Sequence, residues 1–190
     1  MNTMEEQIAA ALEVLRRGGI ILYPTDTVWG IGCDATNEAA VARIYALKKS
    51  ENKKSMLVLV DKIDNVARYI KRVPQVAWEL LEVADKPLTL ILPGGAGVAP
   101  NLIPEEGTLA IRVPRHEFCQ RLIHKLGRPL VSTSANISGE LTPGRFDAIS
   151  DEIRGGVDWI APRSCEGEAT GRASSIIKLG ESGEVQIIRE

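Results

Sequence analysis

The sequence predicts an α/β chain of the α+β kind: one mixed, twisted β-sheet flanked by helices, in a single domain over residues 1–190. Three observations predict it. Short apolar runs of strand length alternate with segments whose apolar residues recur every three or four positions. Near the C-terminus two such runs follow one another around the turn Glu181-Ser182-Gly183-Glu184 with no helix between them, so the sheet is mixed and not all-parallel. Finally, 190 residues with 44% hydrophobic and 25% charged side chains suit one core, and no repeat, low-complexity segment or linker divides the chain.

From Glu5 to Arg17, Ile8, Ala11, Leu12 and Leu15 share one helical face, and Gly18-Gly19 stops the helix. Ile20 to Tyr23 reads as a buried strand and Pro24 to Ala35 as a polar, glycine-containing loop. The spacing of Val41, Ile44 and Tyr45 predicts a helix from about Glu38 to Lys48, capped by Thr36 or Asn37. Further strands are expected at Met56 to Val60, Leu88 to Leu92, Leu109 to Val113, Leu130 to Thr133, Ser175 to Leu179 and Val185 to Ile188. Helical patterns at Asp64 to Tyr69, Gln75 to Val83 and Glu117 to Leu126 interleave with them.

Composition excludes several classes. The net charge of −2 and a pI near 5.8 give no global basic field for nucleic acid, so any anion site is local. No apolar run approaches the roughly 20 residues that cross a bilayer. The acidic start from Met1 to Gln7 lacks the basic and apolar regions of a signal peptide, which makes the cytoplasm the expected location. Cys33, Cys119 and Cys165 are too few and too scattered for a disulfide framework or a Cys-x-x-Cys metal site, so three reduced thiols are expected.

Four polar clusters follow predicted strands or helices, where ligands gather in open α/β sheets. Tyr23 to Gly32 runs from a strand into hydroxyls, an aromatic and two glycines; taken alone, it is a capped turn. Lys48 to Ser55 holds four lysines, which read singly as a solvated face. In Thr108 to Pro114 an arginine interrupts an apolar strand, and period-two alternation puts Ala110 and Arg112 on one face; the guanidinium meets either an internal carboxylate or an anionic ligand. Leu130 to Gly139 ends a strand in more hydroxyls and amides than one turn requires.

The order of these clusters resembles the YrdC-like family of threonylcarbamoyl-AMP synthases, from Glu5 to Arg189. The resemblance is carried by Pro24 to Gly32, Lys48 to Ser50, Gly107 to Pro114, Ser134 to Asn136, and Ser174 to Ile176 with Arg189. It implies a YrdC/RibB-like fold and a nucleotidyltransferase that joins L-threonine, bicarbonate and ATP into threonylcarbamoyl-AMP for tRNA modification. It also implies roles. Lys48 and Arg112 would be catalytic; Arg112 with Thr25, Ser132 and Ser174 would hold threonine; and Lys48, Thr108, Ser134, Asn136, Thr142 and Arg189 would hold the nucleotide. Mg²⁺ would be expected to bridge the phosphates of ATP, and the lack of a visible metal-ligand cluster agrees with an ion carried in by the nucleotide. Partner proteins that pass the carbamoyl group on, and weak or indirect RNA binding, belong to the same implication. Two positions depart from the family pattern. Trp29 replaces a tyrosine, and Ser50 stands where the family has an arginine, so Lys49, Lys53 and Lys54 are expected to supply the missing cation.

Rival readings are weaker. Gly30-Ile31-Gly32-Cys33-Asp34-Ala35 fits a dinucleotide fingerprint in letters, but six residues separate it from the preceding strand. Gly94 to Gly97 lacks the Gly-Lys-(Ser/Thr) ending of a P-loop, and neither His116 nor His124 accompanies a Gly-x-Ser-x-Gly. A non-enzymatic RNA-binding module is the alternative from another class, though aromatics for base stacking make up only 4% of the chain.

Overall fold

The computed structural model of the chain describes residues 3–50 and 56–190. Helix α1 (Met4–Arg16) starts in a capping box, in which Thr3 accepts the Glu6 amide and Glu6 accepts the Thr3 amide. Its buried face is Ile8, Ala11, Leu12, Val14 and Leu15, where Ile8, Leu12, Val14 and Leu15 each contribute about 1.5–3 kcal/mol by burial. Of the two caps expected for helix α2 (Glu38–Leu47), Asn37 does the work by accepting the Ala40 amide. Thr36 instead donates to Asp34. Helices α3 (Gln75–Val83) and α4 (Glu117–Leu126) lie within a residue or two of their predicted bounds. The Asp64 to Tyr69 pattern forms a 3₁₀ helix, Ile63–Arg68.

The strands are β1 (Ile21–Tyr23), β2 (Gly30–Gly32), β3 (Leu57–Leu59), β4 (Leu88–Pro93), β5 (Thr108–Arg112), β6 (Leu130–Ser134), β7 (Trp159–Ile160), β8 (Ser175–Leu179) and β9 (Val185–Arg189). Among the described residues they form one sheet in the order β7-β1-β2-β6-β3-β5-β4-β8-β9. The sheet is mixed, as the sequence predicts. Strands β1/β7, β3/β5 and β4/β8 pair in parallel and the other neighbours antiparallel. The β8–β9 hairpin turns through Gly183 at φ +90, a conformation that favours glycine.

One predicted loop needs correction. Pro24 to Ala35 contains β2, which pairs with β1 on one side and β6 on the other. The glycines that made it look like a loop are what let it lie there: a Cβ on Gly32 would sit 2.3 Å from the Val131 carbonyl oxygen and 2.7 Å from the Tyr23 ring. Two short elements follow a Gly- and Pro-rich stretch and escape the periodic reading, namely helix α5 (Asp151–Gly155), capped by Ser150, and β7. The three cysteines are buried and unpaired, as expected. Among the described residues no helix is long and apolar enough to cross a membrane.

Candidate active site

A cavity of ≈ 310 Å³ opens on the face of the sheet where β5 carries Ala110 and Arg112. The side-by-side placement expected from period two is thus observed. Strand β6 adds Ser132, Thr133 and Ser134, β4 adds Thr89 and Ile91, and the β1–β2 turn adds Thr27 and Val28. The far wall is Ala173, Ser174, Ile176 and Arg189, with Thr142 above. A second hollow of ≈ 300 Å³ adjoins it, sharing Thr133 and Ser134 and lined also by Lys48, Ser50, Asn136 and Ser138. The site therefore has two lobes joined at the end of β6.

Arg112 is 2% exposed. Both readings of this arginine meet in one place. Its Nη1 donates to Asp26 Oδ1 at 2.5 Å, so the internal carboxylate exists, and the same residue lines the cavity. Asp26 Oδ2 accepts the Arg115 amide at 2.9 Å, which fixes the carboxylate at both ends. The Arg112 Nε is buried and finds no hydrogen-bond partner among the described residues. His116 lies buried close by, and burial pushes its imidazole toward the neutral form while Asp26 opposes the shift.

Ser174 Oγ and Thr89 Oγ1 lie 2.7 Å apart on the cavity wall. The Ser174 carbonyl accepts from both Nε and Nη2 of Arg189, at 2.9 and 2.7 Å, which ties the end of β9 to the start of β8. Burial draws the Arg189 guanidinium below its ordinary pKa.

Lys48 sits at the C-terminal end of α2, where its Nζ donates to the carbonyls of Ser134 and Asn136, both at 2.6 Å. Burial lowers its pKa to about 8. The Asn136 amide donates to the carbonyls of Ile137 and Glu140, so lysine and asparagine together fix the turn that carries Ser134 and Ser138.

Arg112, Ser132, Ser134, Thr142, Ser174 and Arg189 are thus gathered around the cavity, and Lys48 and Asn136 around the adjoining hollow. Two of the expected site residues stand apart. Thr25 lies behind the wall: its hydroxyl donates to the Val28 carbonyl at 2.7 Å and accepts the Thr27 amide, so it shapes the turn that presents Thr27. Thr108 bonds Glu106 in a side pocket of ≈ 40 Å³ that shares Met56, Ile91 and Ala110 with the cavity. The expected lysine substitution for the family arginine is placed only in part. Lys49 turns away, pairing with Glu152 of α5 at 2.8 Å, and Lys53 and Lys54 lie outside the described residues. Ser50 lines the hollow.

Sequence reasoning assigned no role to Asp26, Thr27 or Thr89. Thr89 had a signal of the kind that drew attention to Arg112, a polar residue inside the apolar run Leu88 to Leu92. No groups of three or more His, Cys, Asp or Glu side chains that could hold a metal ion occur among the described residues. The glycines of the supposed dinucleotide fingerprint lie in β2, inside an antiparallel pairing and not at a strand-to-helix turn.

Comparison with known proteins agrees with this geometry. The Sua5/YciO/YrdC family, described as telomere recombination, matches residues 13–190. A threonylcarbamoyl-AMP synthase from Idiomarina loihiensis is 36% identical over 155 residues, covering 80% of this chain and 83% of that protein. One from Pseudoalteromonas translucida is 34% identical over 141 residues, covering 73% and 75%. Among solved structures, P. abyssi Sua5 complexed with L-threonine superposes with a TM-score of 0.84 at 29% identity, over 94% of this chain and 52% of that longer one. E. coli YciO gives 0.81 at 26% identity, over 100% and 91%. The mixed sheet, the two-lobed hydroxyl-lined site and these matches lead to one conclusion: the chain belongs to the Sua5/YciO/YrdC family.

Proposed function

We propose that the chain is an L-threonylcarbamoyladenylate synthase, a nucleotidyltransferase that forms threonylcarbamoyl-AMP and pyrophosphate from L-threonine, bicarbonate and ATP for modification of tRNA. The observation that carries this reading is the pair of adjoining lobes. One presents a buried guanidinium among hydroxyls, and the other presents a clamped, amide- and hydroxyl-lined turn beside Lys48. In the proposed reaction the threonine amine bonds to the carbon of bicarbonate with loss of water. An oxygen of the resulting carbamate then attacks the α-phosphorus of ATP as the bond to pyrophosphate breaks.

The protein's part in such a transfer is positioning and charge complementarity. Arg112 offers its fork to the threonine carboxylate, held in place by Asp26 so that little order is lost on binding. Ser132 and Ser174 are placed to bond the rest of the amino acid, and Thr25 acts through Thr27. Ser134, Thr142 and Arg189 face the nucleotide, while Lys48 and Asn136 hold the turn beneath the phosphates. Mg²⁺ would be carried in with ATP, where it would lower the charge that the hydroxyl-lined lobes must neutralise. The test is incorporation of radiolabelled bicarbonate into an adenylate product with no RNA present. Product that requires threonine and ATP together is the expected result, and no label above background would reject the reading.

A further inference from the structure

One buried group near the cavity is left unused by the synthase reading. His116 follows β5 at the N-cap of α4 and is 5% exposed. Among the described residues neither its Nδ1 nor its Nε2 has a hydrogen-bond partner, and the ring does not cap the helix. Burial holds the imidazole below its ordinary pKa of 6.5, Asp26 and Glu117 opposing the shift and Arg112 adding to it. In the neutral form one ring nitrogen donates and the other accepts. A donor and an acceptor buried and left unmade are costly, and a partner supplied in another state of the chain removes that cost.

Over the ring runs a strap, residues 166–173, exposed along its length, which leads from the short helical turn Arg163–Cys165 to β8. Gly167 stands against the imidazole: a Cβ there would lie 3.2 Å from Nε2 and 3.4 Å from Cδ2. The strap is tied on both sides of this point. Before it, Glu166 accepts from Trp29 Nε1 at 3.1 Å. Beyond it, the Thr170 and Gly171 amides donate to the carbonyls of Asp26 and Thr27 at 3.0 and 2.9 Å. Between the ties, residues 167–169 make no hydrogen bond among the described residues. An unpaired stretch of backbone therefore lies against an unpaired imidazole. The strap also leads into the cavity wall. Thr27, Ala173 and Ser174 all line the cavity, and Asp26, whose carboxylate aims Arg112, is the residue whose carbonyl holds Thr170. A movement of the strap toward His116 thus reaches the amino-acid lobe from two sides.

We propose that His116 is a positioning residue of the amino-acid lobe: residues 167–169 settle onto its imidazole when threonine fills the cavity, a backbone group of the strap pairs with Nε2, and Thr27 and Ser174 are drawn onto the ligand. The identity of that ligand rests on the synthase reading, but the strap is read through binding and not through adenylate formation. Closure holds the amino acid alike before and during reaction, so its loss raises KM for threonine and leaves kcat nearly unchanged.

The experiment uses the full chain with L-threonine as the probe and compares the wild type with His116→Leu, His116→Gln and Gly167→Ala. Calorimetry gives threonine affinity, urea unfolding gives the stability of the ligand-free protein, and tryptic cleavage at the exposed Arg172 reports the strap. Leucine removes both ring nitrogens at similar bulk, glutamine returns an amide near the Nε2 position, and the Cβ added at Gly167 holds the strap off an intact ring. The expected threonine affinity is about three- to tenfold weaker in His116→Leu and Gly167→Ala, the change for one lost hydrogen bond, and close to wild type in His116→Gln. The ligand-free urea midpoint of His116→Leu should be no lower than that of the wild type, and threonine should slow cleavage at Arg172 in the wild type but not in His116→Leu. Wild-type affinity or full protection of Arg172 in His116→Leu would overturn the proposal. So would a lowered urea midpoint in that variant together with equally weak threonine binding by His116→Gln, which makes His116 a packing residue. Threonine binding without adenylate formation rejects the synthase reading alone, and the affinities still decide the strap; no threonine binding by the wild type rejects both.

Discussion

The lobe around Arg112 and the lobe around Lys48 share Thr133 and Ser134 but are built from different material. The first is carried on β4, β5, β6 and β8, and its cation is held by a buried carboxylate whose second oxygen is bonded to the Arg115 amide. The second is carried on the end of α2 and the turn after β6, and its cation is held by two carbonyl oxygens. A buried ion pair keeps a guanidinium charged and aimed, but losing either partner strands the other charge. An ammonium on carbonyls has no charged partner, so burial moves its pKa toward the working range. The first lobe is therefore fragile to mutation, and the second is sensitive to pH.

The largest expected effect breaks the first lobe. Arg112→Ala would leave Asp26 buried without its partner and cost about 3–5 kcal/mol of stability in addition to threonine affinity. Urea unfolding checks it, and a wild-type midpoint would show that the pair does not hold the lobe. Replacing both partners with apolar residues, Asp26→Leu with Arg112→Met, is expected to recover most of the stability and none of the threonine binding.

The second prediction concerns pH. The folded pKa of Lys48 is about 8, below its ordinary 10.5. Below about pH 8 the lysine is protonated in both folded and unfolded chains. Between about 8 and 10.5 the unfolded chain binds more protons, so this group's contribution makes folding stability rise with pH. Activity moves the other way. Loss of the Lys48 charge removes the cation beside the phosphates while the amine keeps two donors for the Ser134 and Asn136 carbonyls, so pyrophosphate release should fall as pH rises through about 8, and Lys48→Arg should move that fall upward. A profile that stays flat to pH 10 would separate Lys48 from the rate.

The smallest effect sharpens the second lobe. Ser50 lines the hollow where the family has arginine, and Lys49 is committed to Glu152. Ser50→Arg should raise adenylate formation a few-fold, within about 1 kcal/mol of barrier. Lys53→Ala with Lys54→Ala should lower it more strongly, if those lysines supply the missing cation. Pyrophosphate release by the three proteins at equal ATP decides it, and a silent Ser50→Arg would show that this lobe already has its cation.

Much of the site was legible because its residues interrupt patterns. Arg112 breaks an apolar strand, the Ser132 to Asn136 hydroxyls exceed a turn's needs, and the order of motifs along the chain selects the family. Where the reading fell short, the missing information was long-range. Glycines in β2 read as loop because nothing local shows that Val131 and Tyr23 approach so closely. Thr25 and Thr27 are equivalent in letters, and only the turn's hydrogen bonds send one behind the wall and the other into it.

By itself the sequence determined the periodicities that make these helices and strands, the mixed character of the sheet, the absence of disulfides, and the set of polar residues available for chemistry. All of these depend on neighbours within a turn or two of chain, where spacing and side-chain type suffice. Tertiary structure alone decided which carboxylate meets Arg112, 86 residues away, and which carbonyls hold Lys48, 86 and 88 residues away. It also decided that Lys62, Arg68, His124 and Arg128, far apart in the chain, line one hollow. Such pairings follow from strand order and register, which are set by burying the whole sheet at once, and a linear reading of residues holds no record of them.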